Sequence, residues 1–189
     1  MQQVKAQDNF KLENISVRFG YGISIAEVPQ WQQSFQFDNF NLGFTLKSYK
    51  GIDLSLLAIS SGYAHYGNDF IYGLNNYILN LQYRPIRKYN LQPFVGAGIS
   101  INNYREEQVV FGTWYLNNSS APTGEYFVTK GPFANIEIGL LYKISKRFTL
   151  NVEALKVFGK NNDIVAVPVA SEIYYMLSLA YVFKIFSSN

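Results

Sequence analysis

The amino-acid sequence predicts an all-β protein, an eight-stranded antiparallel up-and-down transmembrane β-barrel. Three observations carry this expectation. Large apolar residues alternate with small or polar ones in eight separate stretches, the period-two pattern of strands with two unlike faces. Aromatic residues reach 17% while charged residues make up only 15%, against a usual quarter. Mean hydropathy is nevertheless near zero, so the apolar side chains are spread thinly over many strands. No run approaches the roughly 20 apolar residues that a membrane-spanning helix needs.

The stretches follow in order. In ISVRFGYGISI, Ile15, Val17, Phe19, Tyr21, Ile23 and Ile25 oppose Ser16, Arg18, Gly20, Gly22 and Ser24. In NFNLGFTLK, Phe40, Leu42, Phe44 and Leu46 oppose Asn39, Asn41, Gly43, Thr45 and Lys47. IDLSLLAIS sets Ile52, Leu54, Leu56 and Ala58 against Asp53 and Ser55, and apolar Leu57 and Ile59 weaken the alternation toward its end. YILNLQYR sets Tyr77, Leu79, Leu81 and Tyr83 against Asn80, Gln82 and Arg84. FVGAGISIN sets Val95, Ala97, Ile99 and Ile101 against Gly96, Gly98, Ser100 and Asn102. NIEIGLLY sets Ile136, Ile138, Leu140 and Tyr142 against Asn135, Glu137 and Gly139. FTLNVEAL sets Phe148, Leu150, Val152 and Ala154 against Thr149, Asn151 and Glu153. IYYMLSLAYVF closes the series, with Ile173, Tyr175, Leu177, Leu179, Tyr181 and Phe183 on one parity.

Connections alternate in length. Those near 48–51, 85–91 and 143–147 are short, and those near 26–35, 64–72, 103–131 and 159–172 are longer. Both termini fall at the short-turn end, an asymmetry typical of outer-membrane barrels. The whole of 1–189 is expected to be one barrel domain, with a periplasmic N-terminal segment over 1–13 and a short tail over 184–189. The start, MQQVKAQDNFKLEN, has no apolar signal core. That leaves a cytoplasmic protein or a mature chain with an added Met1.

A soluble barrel also alternates, with its apolar face inward. Three features favour lipid outside. The polar parity is mostly Gly, Ser, Asn and Thr, which suits a cramped interior and not a Lys- and Glu-rich wetted surface. Tyr49, Tyr83, Tyr142, Phe148, Tyr181 and Phe183 gather at the short-turn end, and Trp31, Tyr63, Tyr72, Tyr104 and Tyr175 toward the other. Two bands of amphipathic rings fit two membrane interfaces. The apolar stretches run about nine to eleven residues, the length a tilted strand needs to cross a bilayer. A soluble lipocalin-like carrier is the alternative.

With these patterns in place, the chain resembles the small eight-stranded outer-membrane barrels of the OmpX and OmpA-barrel kind, and the outer-membrane β-barrel proteins of Bacteroidota. LQPFVGAGIS (91–100) is similar to the mid-chain strand of that family, and YYMLSLAYVF (174–183) resembles the aromatic-ended last strand read by the barrel assembly machinery. The tail KIFSSN after Phe183 departs from the pattern, and Phe186 is a second candidate for the terminal aromatic. The resemblance implies a Gram-negative outer membrane, extracellular loops, periplasmic termini and lipid and lipopolysaccharide as surroundings. The implied role is structural or binding, or that of an accessory subunit beside other outer-membrane proteins.

Chemistry-bearing residues are few. By parity Arg18, Lys47, Asp53, Arg84, Glu137 and Glu153 point into the lumen, three of each sign. Buried charges must be paired, so they are expected to form a salt-bridge network that plugs the barrel; a proton or ion gate is the alternative. Large solutes are excluded. His65, the single histidine, lies in GYAHYGND near Asp69, with Ser60 and Ser61 upstream. A His, an Asp and a Ser near the membrane surface resemble the lipid A acylation and deacylation barrels. Gly67 stands where the deacylase pattern has its serine, and a loop histidine without a catalytic role is expected instead. The 103–131 insert carries Arg105, Glu106 and Glu107, then an apolar stretch with Phe111, Trp114 and Tyr115. It is expected to protrude as a hairpin whose edge binds partners by strand addition, or to pack on its neighbours. Asn118-Ser119-Ser120 matches a glycosylation sequon, which carries no information in a bacterial outer membrane.

Lys47, Lys50, Arg84, Arg87, Lys88, Lys143, Lys146, Arg147 and Lys184 gather at the short-turn end, facing phospholipid head groups or a periplasmic partner. The absence of cysteine excludes disulfides and thiolate chemistry. A net charge of +3 and aromatics spaced along strands give no nucleic-acid surface. No enzyme, metal or small-molecule cofactor is expected.

Overall fold

The protein is described by a computed structural model covering residues 12–28, 33–48, 50–65, 70–108, 125–158 and 171–184. Eight strands run in chain order: β1 (Leu12–Val28), β2 (Gln33–Ser48), β3 (Ile52–His65), β4 (Phe70–Tyr83), β5 (Leu91–Gln108), β6 (Glu125–Lys143), β7 (Phe148–Phe158) and β8 (Ser171–Lys184). Each pairs antiparallel with the next, and β8 returns to β1, from Asn14↔Lys184 to Glu27↔Ser171. Closure leaves no edge in the paired belt, as a hydrocarbon solvent demands of a sheet.

The two parities separate as the alternation requires, and with the polarity of a membrane barrel. Phe19, Leu81 and Ile138 are about 60% exposed, while Asn41, Ser55, Asn80, Glu137 and Ser178 are at most 2% exposed. A soluble barrel would bury the first set and wet the second. The lipocalin-like alternative is therefore overturned: water around this exterior would face a continuous apolar belt, which soluble proteins do not expose.

Several strands reach further than the alternation indicates. The expected loops at 26–35 and 64–72 shorten, because β1 runs to Val28, β2 starts at Gln33, β3 runs to His65 and β4 starts at Phe70. The insert at 103–131 likewise gives residues to β5 and β6, and 159–172 loses Ser171 and Glu172 to β8. The physical reason is that alternation is imposed by lipid on one face and lumen on the other. Beyond the bilayer that demand ends, while backbone ladders persist without it.

The ladders are uneven at the long-loop end. β2 meets β3 only from Asn39↔Ser61 to Leu46↔Leu54, and β6 meets β7 only from Ala134↔Phe158 to Lys143↔Thr149. Over 125–133, β6 keeps its ladder to β5, up to Glu107↔Glu125, but has no β7 partner among the described residues. Pro132, which cannot donate to a ladder, lies in this stretch. A bulge between Ser100 and Asn102 sits opposite Gly131, whose φ of +135° disfavours a side chain. A Cβ there would lie 2.8 Å from the Ser100 carbonyl oxygen.

Candidate functional site

Few chemical groups lie on the exterior, so the candidate site is the lumen. Its contents fall into layers. Mid-barrel, Arg18 of β1 reaches across to β7 and β6. Its Nη1 donates to Glu153 Oε2 at 2.5 Å, and its Nη2 lies 3.8 Å from Glu137 Oε1 and 3.4 Å from Ser55 Oγ. The 3.8 Å approach is an electrostatic contact and not a hydrogen bond. Glu137 Oε2 is instead satisfied by Asn80 Nδ2 and Gln82 Nε2, each at 2.9 Å. All three charged residues are at most 3% exposed. The sequence makes room for the guanidinium: a Cβ at Gly43, paired with Arg18 across β1–β2, would come within 2.6 Å of Nε.

Nearer the short turns, Arg84 forks onto Asp53. Nε donates to Oδ2, Nη2 donates to Oδ1 at 3.0 Å, and Nη1 donates to Gln92 Oε1 at 3.0 Å. Asp53 also accepts the Ser48 backbone N–H at 3.0 Å, and Gln92 Nε2 donates to the Arg87 and Tyr89 carbonyls. The bidentate pair, with its geometric selectivity, thus ties β3 and β4 to both adjoining turns. Lys47 stands apart. It is 7% exposed and has no hydrogen-bond or ion-pair partner among the described residues. The six parity-assigned charges are therefore two separate clusters and a lone ammonium.

Toward the long loops the lumen turns apolar. Leu57, Ile59, Ile78, Leu155, Val157, Tyr174 and Met176 form one buried cluster, with Phe133 packed on it. Beside it Glu172, 3% exposed, accepts from the Tyr174 hydroxyl and from Asn76 Nδ2. Sequence reasoning missed both features. The alternation places Glu172 in the 159–172 connection, and Leu57 and Ile59 read there as a lapse in the pattern. The available signal was their parity, which Asp53 and Ser55 share.

The remaining candidates distribute as follows. Tyr83, Tyr142, Phe148 and Phe183 are exposed at the short-turn end, where Phe148, Tyr181 and Phe183 stack edge to face with centroids 5.3 and 4.7 Å apart. Exposed Phe19, Tyr21, Phe40 and Tyr77 occupy the belt between the expected bands. Tyr49 lies outside the described residues, as do Trp31, Phe111, Trp114, Tyr115 and Phe186. Arg105, Glu106 and Glu107 fall in β5, paired with Phe127, Tyr126 and Glu125 across β5–β6. His65 ends β3, paired with Phe70; its side chain, like those of Arg105, Glu106 and Glu107, is outside the described set. Among the described residues no group of three or more His, Cys, Asp or Glu could hold a metal ion.

An apolar exterior, a lumen that holds the buried polar and charged groups and a closed eight-stranded antiparallel ladder define a transmembrane β-barrel of the small outer-membrane type. Solved structures share this fold. Neisserial surface protein A superposes with a TM-score of 0.67 at 10% identity, covering 89% of this chain and 97% of its own. The attachment invasion locus protein Ail of Yersinia pestis gives 0.62 at 14% identity, covering 92% and 100%. The N-terminal β-barrel domain of Pseudomonas aeruginosa OprF gives 0.56 at 17%, also covering 92% and 100%. No family model matches the chain, and no curated protein matches its sequence. At these identities the likeness is one of fold.

Proposed function

We propose that this protein is a non-enzymatic integral barrel of the bacterial outer membrane, with a lumen sealed by side chains and a binding role carried by its long-loop end. The observation that carries this reading is the combination of a lipid-compatible exterior with a layered, filled interior. Ion clusters occupy mid-barrel and the short-turn end, and the apolar cluster around Ile78 and Tyr174 closes the other half. Such packing excludes a solute channel. The charge clusters are structural: they cross-link strands far apart in sequence and neutralise charges that hydrocarbon-surrounded walls leave nowhere else to go.

The binding role is supported by the β5–β6 hairpin. Its ladder continues to Glu107↔Glu125, past the last β6–β7 pair among the described residues, Ala134↔Phe158. A ladder that reaches beyond the apolar belt is the kind of surface on which a partner can add a strand. Ligand binding by a barrel of this fold has a parallel: Ail of Yersinia pestis has been solved in complex with the heparin analogue sucrose octasulfate.

One experiment tests the reading. The chain has no cysteine, so single-cysteine variants report orientation cleanly. Asn118→Cys should react with a membrane-impermeant maleimide on intact cells, and Lys146→Cys only after lysis. The opposite pattern, or a protein that stays soluble without detergent and runs identically boiled and unboiled on SDS gels, would overturn it. His65→Ala should leave the mass spectrum of lipid A unchanged.

A further inference from the structure

The short-turn mouth of the lumen holds a cavity of about 440 Å³ whose lining is lopsided in charge. Lys47, Arg84, Lys143, Lys146 and Lys184 line it, against the single carboxylate of Glu13. Arg84 is already committed to Asp53, which leaves the other cations facing one acid. Two of the lining side chains lack a hydrogen-bond partner among the described residues, and one of them, the Thr149 hydroxyl, is fully buried. Lys47 is 7% exposed and has neither a hydrogen-bond nor an ion-pair partner among the described residues, and the Thr149 hydroxyl, 3% exposed, has no hydrogen-bond partner. Lys47 feels the Asp53 carboxylate, but that carboxylate is already bound by Arg84, and proteins keep largely buried ammoniums paired. Among the described residues neither Lys47 nor Thr149 has an acceptor, which leaves both available to an anion from outside.

We infer that this mouth is a binding pocket for a phosphate-bearing anion, held by the Lys47 and Lys143 ammoniums with the Thr149 hydroxyl as a further donor. Three observations favour phosphate chemistry. The donors come from three different strands, β2, β6 and β7, and so converge from several directions, which a tetrahedral oxyanion can satisfy. They are ammoniums and a hydroxyl, point donors that do not need the planar geometry of a carboxylate. The volume exceeds that of one phosphate group and leaves room for a substituent. The Lys143 ammonium also lies 3.4 Å from the Arg87 carbonyl, which holds it at the rim. Two sources carry this chemistry: free phosphate and the head group of a phospholipid, which basic pockets near a membrane surface recognise.

The test uses the full chain folded in dodecyl maltoside, a phosphate-free detergent. Folding of each variant is checked by the boiled-against-unboiled gel shift. Inorganic phosphate, and separately phosphatidylglycerol dispersed in the same micelles, are titrated by calorimetry. Saturable phosphate binding is expected. Lys47→Met should weaken it about tenfold or more, the usual effect of removing a charged hydrogen-bond donor, and Lys47→Arg should restore most of it. Lys143→Gln should weaken it less, and Lys88→Met, outside the pocket, should leave it unchanged. Tighter binding of phosphatidylglycerol than of phosphate assigns the pocket to a lipid head group; equal or weaker binding assigns it to free phosphate. No saturable binding by the unaltered protein would overturn the inference. So would equal losses in Lys47→Met and Lys88→Met, which would mark diffuse surface charge. If Lys47→Met fails to fold, Thr149→Val and Lys143→Gln carry the same test.

Discussion

Replacing Arg18 with Met removes the one cation between two buried carboxylates. Arg18, Glu137 and Glu153 are at most 3% exposed, with oxygens 2.5 and 3.8 Å from the guanidinium. At an effective dielectric constant near 20, a pair 3.8 Å apart is worth about 4 kcal/mol, before the cost of stripping water from both ions. Breaking a buried pair from one side typically costs about 3–5 kcal/mol, because the survivor is left without compensation. Glu137 keeps its two amide donors, Asn80 and Gln82, but Glu153 loses its 2.5 Å donor, so the loss should sit in that range. Urea titration of the detergent-folded protein, read as the unboiled gel shift, would measure it. With a slope of about 2 kcal/mol per molar, the midpoint should fall by about 2 M. Arg18→Met combined with Glu153→Gln should recover more than half of the loss, since neutral groups replace the orphaned pair. A single substitution costing under about 1 kcal/mol, or a double variant no more stable than the single one, would refute the idea that these charges hold the wall through mutual compensation.

Three further outcomes follow from the same geometry. Leu177→Arg places a charge on the half-exposed, lipid-facing side of β8 near mid-height, and should cost about 2–4 kcal/mol in bilayer-folded protein; a neutral effect would mean this face does not meet hydrocarbon. Leu57→Ala, at a lumen site 2% exposed within the apolar cluster, should cost about 2–5 kcal/mol, whereas Leu56→Ala, its outward neighbour, should cost clearly less in the same urea titration. Gly139→Ala puts a methyl 2.4 Å from Phe94 Cζ, and should lose about 1–3 kcal/mol through overpacking; pairing it with Phe94→Leu should relieve only part of the strain, because the Val152 carbonyl oxygen lies 2.8 Å from the same methyl.

Much of the architecture was legible in the sequence because lipid and lumen impose a two-residue period that nothing else in the chain contradicts. The parity that buries Ser16, Asn80 and Glu137 is written in the order of residues, and so is the sign of every inward charge. The ends of the strands were not, since ladders above the bilayer need no alternation: Ala26 and Glu27 pair with Phe35 and Ser34 beyond the alternating stretch. The apolar half of the lumen was hidden for a related reason. Leu57 and Ile59 carry the inward parity, but an apolar residue facing inward looks the same in sequence as an alternation that has lapsed. Pairing lay furthest out of reach. Six charges of known direction do not state which of them meet, because that depends on barrel shear, which sets β1 opposite β8 and brings Arg18 to Glu153 across 135 residues of chain. The residue sequence determined which face each side chain occupies; only closure of the barrel decided that Arg18 and Arg84 form ion pairs while Lys47 has none among the described residues, because distance between strands is fixed by the ring and not by the chain.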